Sequence, residues 1–355
     1  MFFIALFYFQ LFSKNLDTFM WVQIESMTSK ESIDKVIKFA TQNRYSNLLV
    51  QVRSRDNAAY NSKIVSKYNS INSNFDPLKY IIEKGHINNI KIHAWLNMYV
   101  SWSGKYNPKN KNHLINVNSK WRDYSFNKTK NKFTNHYLSP IHPEVNNYLL
   151  NIIKEVCNNY NIDGIHLDYI RFKDLNFGNN NIGLKEFAAK MNYTDFSLVD
   201  KNITQIQIDN WNKFKVYKVT ELVKQTHQFL KLNLKNTKLS VAVKPNLLEA
   251  KSRFSQDWGE WLKSGIVDYV LPMNYYSEMY YFNRDLKLMA NRIPEPLHFK
   301  IIMGIGCYNQ SVDDVIDKVS LVKMHSFGGI SIFSFDNHKN ELKWFYPLNK
   351  ILTYN

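Results

Sequence analysis

The sequence predicts a single (β/α)8 TIM barrel with extended loops after the third and fourth strands, and three observations predict it. Eight short strand-like runs alternate with amphipathic helical stretches along 355 residues. No glycine-rich phosphate turn follows an early strand, which argues against an open doubly wound sheet. Polar and charged side chains collect at the far ends of the runs, where the mouth of a barrel lies.

The elements follow in order. The chain opens with MFFIALFYFQLFSKN, apolar from Met1 to Leu11 apart from Gln10. That run is too short to span a bilayer as a helix. Its length suits the apolar part of an export signal, without the usual positive start. Residues 1–16 are therefore read as a signal segment, with a buried N-terminal extension as the alternative, and 17–355 as the barrel. Export would place the protein in the periplasm or outside the cell. No second long apolar run follows, so no membrane span is expected in the mature chain.

Strands are read at 21–26 (WVQIES), 47–54 (NLLVQVRS), 90–99 (IKIHAWLNMY) and 162–169 (IDGIHLDY). The second half supplies 238–246 (KLSVAVKPN), 267–276 (VDYVLPMNYY), 299–306 (FKIIMGIG) and 328–336 (GGISIFSFD). Amphipathic helical stretches lie between them, at 30–43, 76–88, 143–160, 209–232 and 312–325. Ser29, followed three residues on by a polar residue, reads as a helix cap. The connections 102–137 and 173–205 are unusually long, and such loops in compact domains are usually functional. They are expected to wall a groove over the mouth, with Trp102, Tyr106, Trp121 and Phe177 facing it.

Side chains alternate along a strand, and the helix-facing side of a barrel strand is apolar. In GIHLD, Ile165 and Leu167 should face the helices, while His166 and Asp168 point inward with Asp168 nearest the mouth. The same rule turns Gln23 and Glu25, Gln51 and Arg53, and His93, Trp95 and Asn97 inward. It does so again for Lys244 and Asn246, and for Pro272 and Asn274, while Gly304 and Gly306 leave space. Burying such groups without partners costs several kcal/mol each in an apolar medium. A polar ring at this end of the fold therefore reads as a site, with a network of salt bridges as the alternative.

Carboxylates beside aromatic and amide side chains suit carbohydrate. Glycoside hydrolysis needs two carboxyl groups. Asp168 is the obvious one, and the second is sought among Glu25, Glu278, Asp257 and Asp336. Arg53, His93, Trp95, Asn97 and His166 are expected to line the substrate cleft, together with Arg171, Lys244, Asn274 and Tyr276. His93, His166 and Asp168 also allow a metal-dependent hydrolase or deacetylase. Against that, the first strand lacks paired histidines and HExxH is absent, so no metal or cofactor is expected. A G-x-S-x-G elbow is missing as well. Cys157 and Cys307 stand in no metal spacing.

The formal charge is +16, from 46 Lys and Arg against 30 Asp and Glu, with Lys far in excess of Arg. A coding bias toward Lys explains this, and so does a basic surface that attracts an anionic polymer. No dense Lys/Arg block of the nucleic-acid kind appears. The expected partner is a polysaccharide or oligosaccharide, anionic on the second account.

HAWLNMY (93–99), YLSPIHPEV (137–145), DGIHLDYIRF (163–172), QDWGEWLKSGIVDYVLPMNYY (256–276) and IFSFD (332–336) occur in this order. Together they resemble the glycosyl-hydrolase-like family ten, bacterial (β/α)8 barrels that are typically exported. The resemblance runs from about the first strand through the eighth. It implies cleavage of a bacterial polysaccharide, with peptidoglycan glycan strands the best-known target of some members. A glycan-binding barrel without catalysis is the other outcome the family leaves open. Two positions depart from the pattern. Asn57 stands where an Asp is usual, with Asp56 beside it as a substitute, and Lys173 stands where a Pro is usual.

Overall fold

A computed structural model describes residues 16–104, 106–127 and 136–353. Apart from Leu16, the N-terminal apolar segment lies outside them. Eight parallel strands form the centre: β1 Asp17–Val22, β2 Asn47–Ser54, β3 Lys91–Asn97, β4 Gly164–Asp168, β5 Lys238–Val243, β6 Tyr269–Pro272, β7 Ile302–Gly306 and β8 Gly329–Phe333. They pair in the order β6-β5-β4-β3-β2-β1-β8-β7. Isolated bridges Val270–Ile301 and Met273–Gly304 join β6 to β7 and close the barrel. The predicted fold class is therefore the observed one.

Helices α1 Lys30–Gln42, α2 Pro77–Ile87, α3 Val145–Asn159, α4 Gln205–Asn233, α5 Leu247–Phe254, α6 Trp258–Lys263, α7 Met279–Arg292, α8 Val312–Met324 and α9 Tyr346–Thr353 follow the strands. α1 begins where the sequence placed it. Ser29 Oγ accepts from the Ser32 amide at 3.2 Å, and Ser32 Oγ accepts from the Ser29 amide at 3.1 Å. Its buried stripe, Ile33, Val36, Ile37 and Ala40, has helical spacing. α4 starts four residues earlier than read, because Thr204 and Gln207 form a second capping box. α7 was not read from the sequence, although Phe282, Leu286 and Met289 give it a buried face.

β1 lies earlier than read. Its ladder stops at Val22 because the next two amides turn to side chains: Gln23 N donates to Asp336 Oδ2 at 2.7 Å and Ile24 N to Gln51 Oε1 at 3.2 Å. Inside the barrel Phe19, Trp21, Leu49, Trp95, Leu271 and Ile302 form an apolar floor. Gly304 makes room for it, since a Cβ there would lie 3.0 Å from the Trp21 ring and 2.7 Å from Pro272 O.

The two long loops are stitched to each other. Phe126 N donates to Asn176 O at 2.9 Å, Asn179 N to Tyr124 O at 3.0 Å, and Asn180 Nδ2 to Lys120 O and Arg122 O, both at 2.8 Å. The aromatic residues expected over the mouth do other work. Trp102 packs against His113, Trp121 against Tyr148, Phe177 is buried, and Tyr106 is exposed. A loop without an apolar face of its own consumes its aromatics in holding itself together.

Candidate active site

The two aspartates of DGIHLD lie at opposite ends of β4. Asp163 secures the bottom of the barrel, accepting from Ile92 N and facing His86 Nε2, each at 2.8 Å. Asp168 ends the strand at the top. Ile165 and Leu167 join the outer core, as alternation requires, and His166 and Asp168 turn inward.

Asp168 is 6 % exposed. Its Oδ2 accepts from Trp95 Nε1 at 3.2 Å and its Oδ1 from the Tyr169 amide at 2.6 Å. Arg171 Nη1 stands 3.6 Å from Oδ1, with its guanidinium 4.5 Å from the centre of the Tyr169 ring. Burial raises the pKa of Asp168 above the ordinary value. Arg171, the Tyr169 amide and the Trp95 N–H oppose that shift. Tyr169 makes the tight turn out of the strand with φ of 53°.

Above Asp168 opens a cleft of about 190 Å³ lined by Trp21, Gln23, Glu25, Gln51, Arg55, Trp95, Asn97, Asp168, Tyr169, Arg171, Met273, Tyr275 and Phe333, among others. Tyr275 stacks on Phe333 with ring centres 5.2 Å apart, giving the cleft a flat apolar wall. Among the described residues that line it, Glu25 and Asp168 are the carboxylates. Glu25 is exposed, on the turn after β1. The cleft thus places an acid, cations, amides and ring faces within reach of one small group.

The chain matches Glycosyl hydrolase-like 10 over residues 12–319. It belongs to that family. It is 24 % identical over 223 residues to the glycosyl hydrolase YngK of Bacillus subtilis, covering 57 % of this chain and 39 % of that protein. The chain therefore spans about two fifths of the length of this relative. The glycoside hydrolase domain of PgaB (BpsB) from Bordetella bronchiseptica superposes with a TM-score of 0.76 at 12 % identity, over 96 % of this chain and 99 % of that one. The α-L-fucosidase isoenzyme 2 of Paenibacillus thiaminolyticus superposes with a TM-score of 0.67 at 10 % identity, over 95 % of this chain and 49 % of that one. These structures share the barrel.

Within the family's barrel, several expected residues stand elsewhere. Arg53 is fully buried and faces outward. A bulge between Gln51 and Arg53 shifts the register, so Gln51 pairs beside Trp95 but Arg53 beside Leu96. Arg53 donates to the carbonyls of Asn97 and Met98 and to Asp56 Oδ1, and Asp56 also accepts from Tyr148 of α3 at 3.1 Å. Asp56 is thus held as scaffold with φ of 66°, and Asn57 does not line the cleft above Asp168.

Asn274 also faces outward, donating to Phe282 O at 3.0 Å. On β6 the inward residues are Leu271, in the floor, and Met273, at the mouth. Alternation misleads there because the lumen itself is apolar at that depth. His93 lies deep, its Nε2 3.1 Å from Asn47 Oδ1, with a pKa that burial lowers to about 4. His166 sits below the mouth. Its Nε2 accepts from Trp21 Nε1 at 3.3 Å, its Nδ1 is 2.9 Å from Ser240 Oγ, and burial lowers its pKa to about 3. Neither histidine touches the cleft, and among the described residues no three His, Cys, Asp or Glu converge as metal ligands do.

Of the other acids, Asp257 pairs with Lys251 at 2.8 Å on a separate outer groove against α4. Glu278 is exposed and stands at the N-cap of α7, outside the lining of the cleft. Asp336 ties β8 to the end of β1. Lys244 and Tyr276 line a second cavity of about 410 Å³ that shares Met273 and Tyr275 with the cleft. Gln51 lines the cleft as alternation required, whereas Trp21, Arg55, Tyr169, Met273 and Phe333 line it without having been singled out for it. Alternation from Gln23 back to Trp21 carried that signal, whereas the loop residue Arg55 carried none.

Proposed function

We propose that this protein is a glycoside hydrolase that cleaves a bacterial polysaccharide outside the cytoplasm, with peptidoglycan glycan strands as the first candidate. The observation that carries the reading is the buried Asp168 carboxyl opening into an aromatic-walled cleft. Burial keeps its proton to higher pH than a solvated aspartate would, as a proton donor requires. When the proton passes to the glycosidic oxygen, the carboxylate left behind meets Arg171, the Tyr169 amide and the Trp95 N–H already in place. Those groups limit the charge built up in the bond-breaking step. Glu25 supplies the second carboxyl, as base or nucleophile according to its separation from Asp168. Tyr275 and Phe333 offer apolar ring surface to the C–H groups of a sugar.

The experiment is incubation of the purified protein with defined glycan oligosaccharides, with product release measured before and after a metal chelator. Turnover that survives chelation supports the reading. Turnover lost on chelation and restored by metal would favour the metal-dependent hydrolase. Binding without any product would favour a glycan-binding barrel.

A further inference from the structure

The second mouth cavity holds a lysine that no acid pairs with directly, although Glu249 and Asp168 attract it through space. Glu249 pairs with Arg253 at 2.9 Å and Asp285 with Arg284 at 2.9 Å, so both of its acids are matched. Lys244 is not. Its ammonium lies 4.9 Å from the centre of the Phe254 ring, and among the described residues no acid or carbonyl pairs with it. It faces the cavity half-buried beside a cleft that also holds Arg55 and Arg171.

We infer that this cavity is a sugar subsite for a residue bearing a carboxylate, which Lys244 binds. The inference rests on the glycosidase reading and deepens it. The cavity joins the Asp168 cleft through Met273 and Tyr275, so an oligosaccharide held at Asp168 extends into it. Tyr276, 38 % exposed, offers a ring face there. A neutral sugar would strip water from the ammonium and return no charge, and an amino sugar would repel it. A carboxylate matches the compact point charge of a lysine. Burial, and then Arg171, already lower the Lys244 pKa to about 8, and an anion arriving there would raise it again.

The test measures binding by calorimetry in the Asp168→Asn protein, so that turnover does not intrude. The probes are a tetrasaccharide of alternating N-acetylglucosamine and N-acetylmuramic acid with free lactyl carboxylates, chitotetraose, its de-N-acetylated form, and a hyaluronan tetrasaccharide. The first and last separate a lactyl from a ring-borne carboxylate. At least one carboxylated probe should bind about tenfold more tightly than chitotetraose, and the de-N-acetylated probe most weakly. Adding Lys244→Gln should erase that preference. Lys244→Arg should keep it, and so should Lys91→Gln, which removes an exposed charge at the opposite end of the barrel. Equal binding of neutral and carboxylated probes, or a preference that survives Lys244→Gln, overturns the subsite and leaves the glycosidase reading standing. Failure of every probe to bind overturns both.

Discussion

His166 and Asp168 leave the same strand two residues apart, turn the same way and are both buried, yet they do opposite things. His166 has a partner on each ring nitrogen and no contact with the cleft. Asp168 lines the cleft, with Arg171 Nη1 buried beside it and lacking a hydrogen-bond partner. The deeper group is spent on the fold, and the upper one is the acid that the proposed glycosidase would use. Their pH signatures differ in sign. His166 and His93 have folded pKa values lowered to about 3 and about 4 from 6.5, so the stability they contribute is present above pH 6.5 and lost as pH falls through that window. Asp168 has a raised pKa, so its contribution is present at low pH and lost as pH rises through the folded value.

The largest effect should come from the upper residue. Asp168→Asn should lower turnover at least about a hundredfold, the low end of acid–base catalysis, and move the melting temperature by no more than about 3 °C. A depressed melting point with near-normal turnover would erase the contrast with His166. His166→Ala should do the reverse. It strands the Trp21 N–H and the Ser240 hydroxyl, and should cost about 2–3 kcal/mol of stability by denaturant unfolding, with turnover per folded molecule near wild type. The mutant should also lose less stability than wild type between pH 6.5 and 4.

Trp95→Phe probes the link between the layers. It removes a donor that favours the Asp168 carboxylate, so the Asp168 pKa should rise and the alkaline limb of kcat/KM should move to higher pH. Turnover should fall about tenfold. A limb that moves down would mean that Trp95 does not stabilise the charged form. The smallest effect belongs to Asn57→Asp, which restores the residue usual in the family. Since Asn57 does not line the cleft above Asp168, turnover should change less than about twofold. A large gain would relocate the chemistry toward that loop.

β3 and β4 were legible because polar and apolar residues alternate cleanly in HAWLN and GIHLD, and the structure turns them as read. β2 was legible only as far as Gln51. One extra residue in the ladder then reversed Arg53, and nothing in NLLVQVRS marks the place. β6 misled for another reason: Leu271 is apolar and inside, because the barrel floor is apolar too. Glu278 and Asp257 follow strand ends in sequence, yet each stands where a helix begins, beyond the rim. Sequence distance from a strand end does not measure distance from the cleft.

The seam between β6 and β7 has a consequence for motion. Other neighbouring strands share runs of paired residues, whereas these two meet at isolated bridges beside Pro272, which has no N–H to give. A join with so few ties separates at lower free energy than a full ladder. Met273 and Tyr275 carry that join to the rim, where they border both mouth cavities. The least securely fastened edge of the barrel therefore borders both mouth cavities, and a local opening there would leave the ladders on either side of β4, which hold Asp168, paired.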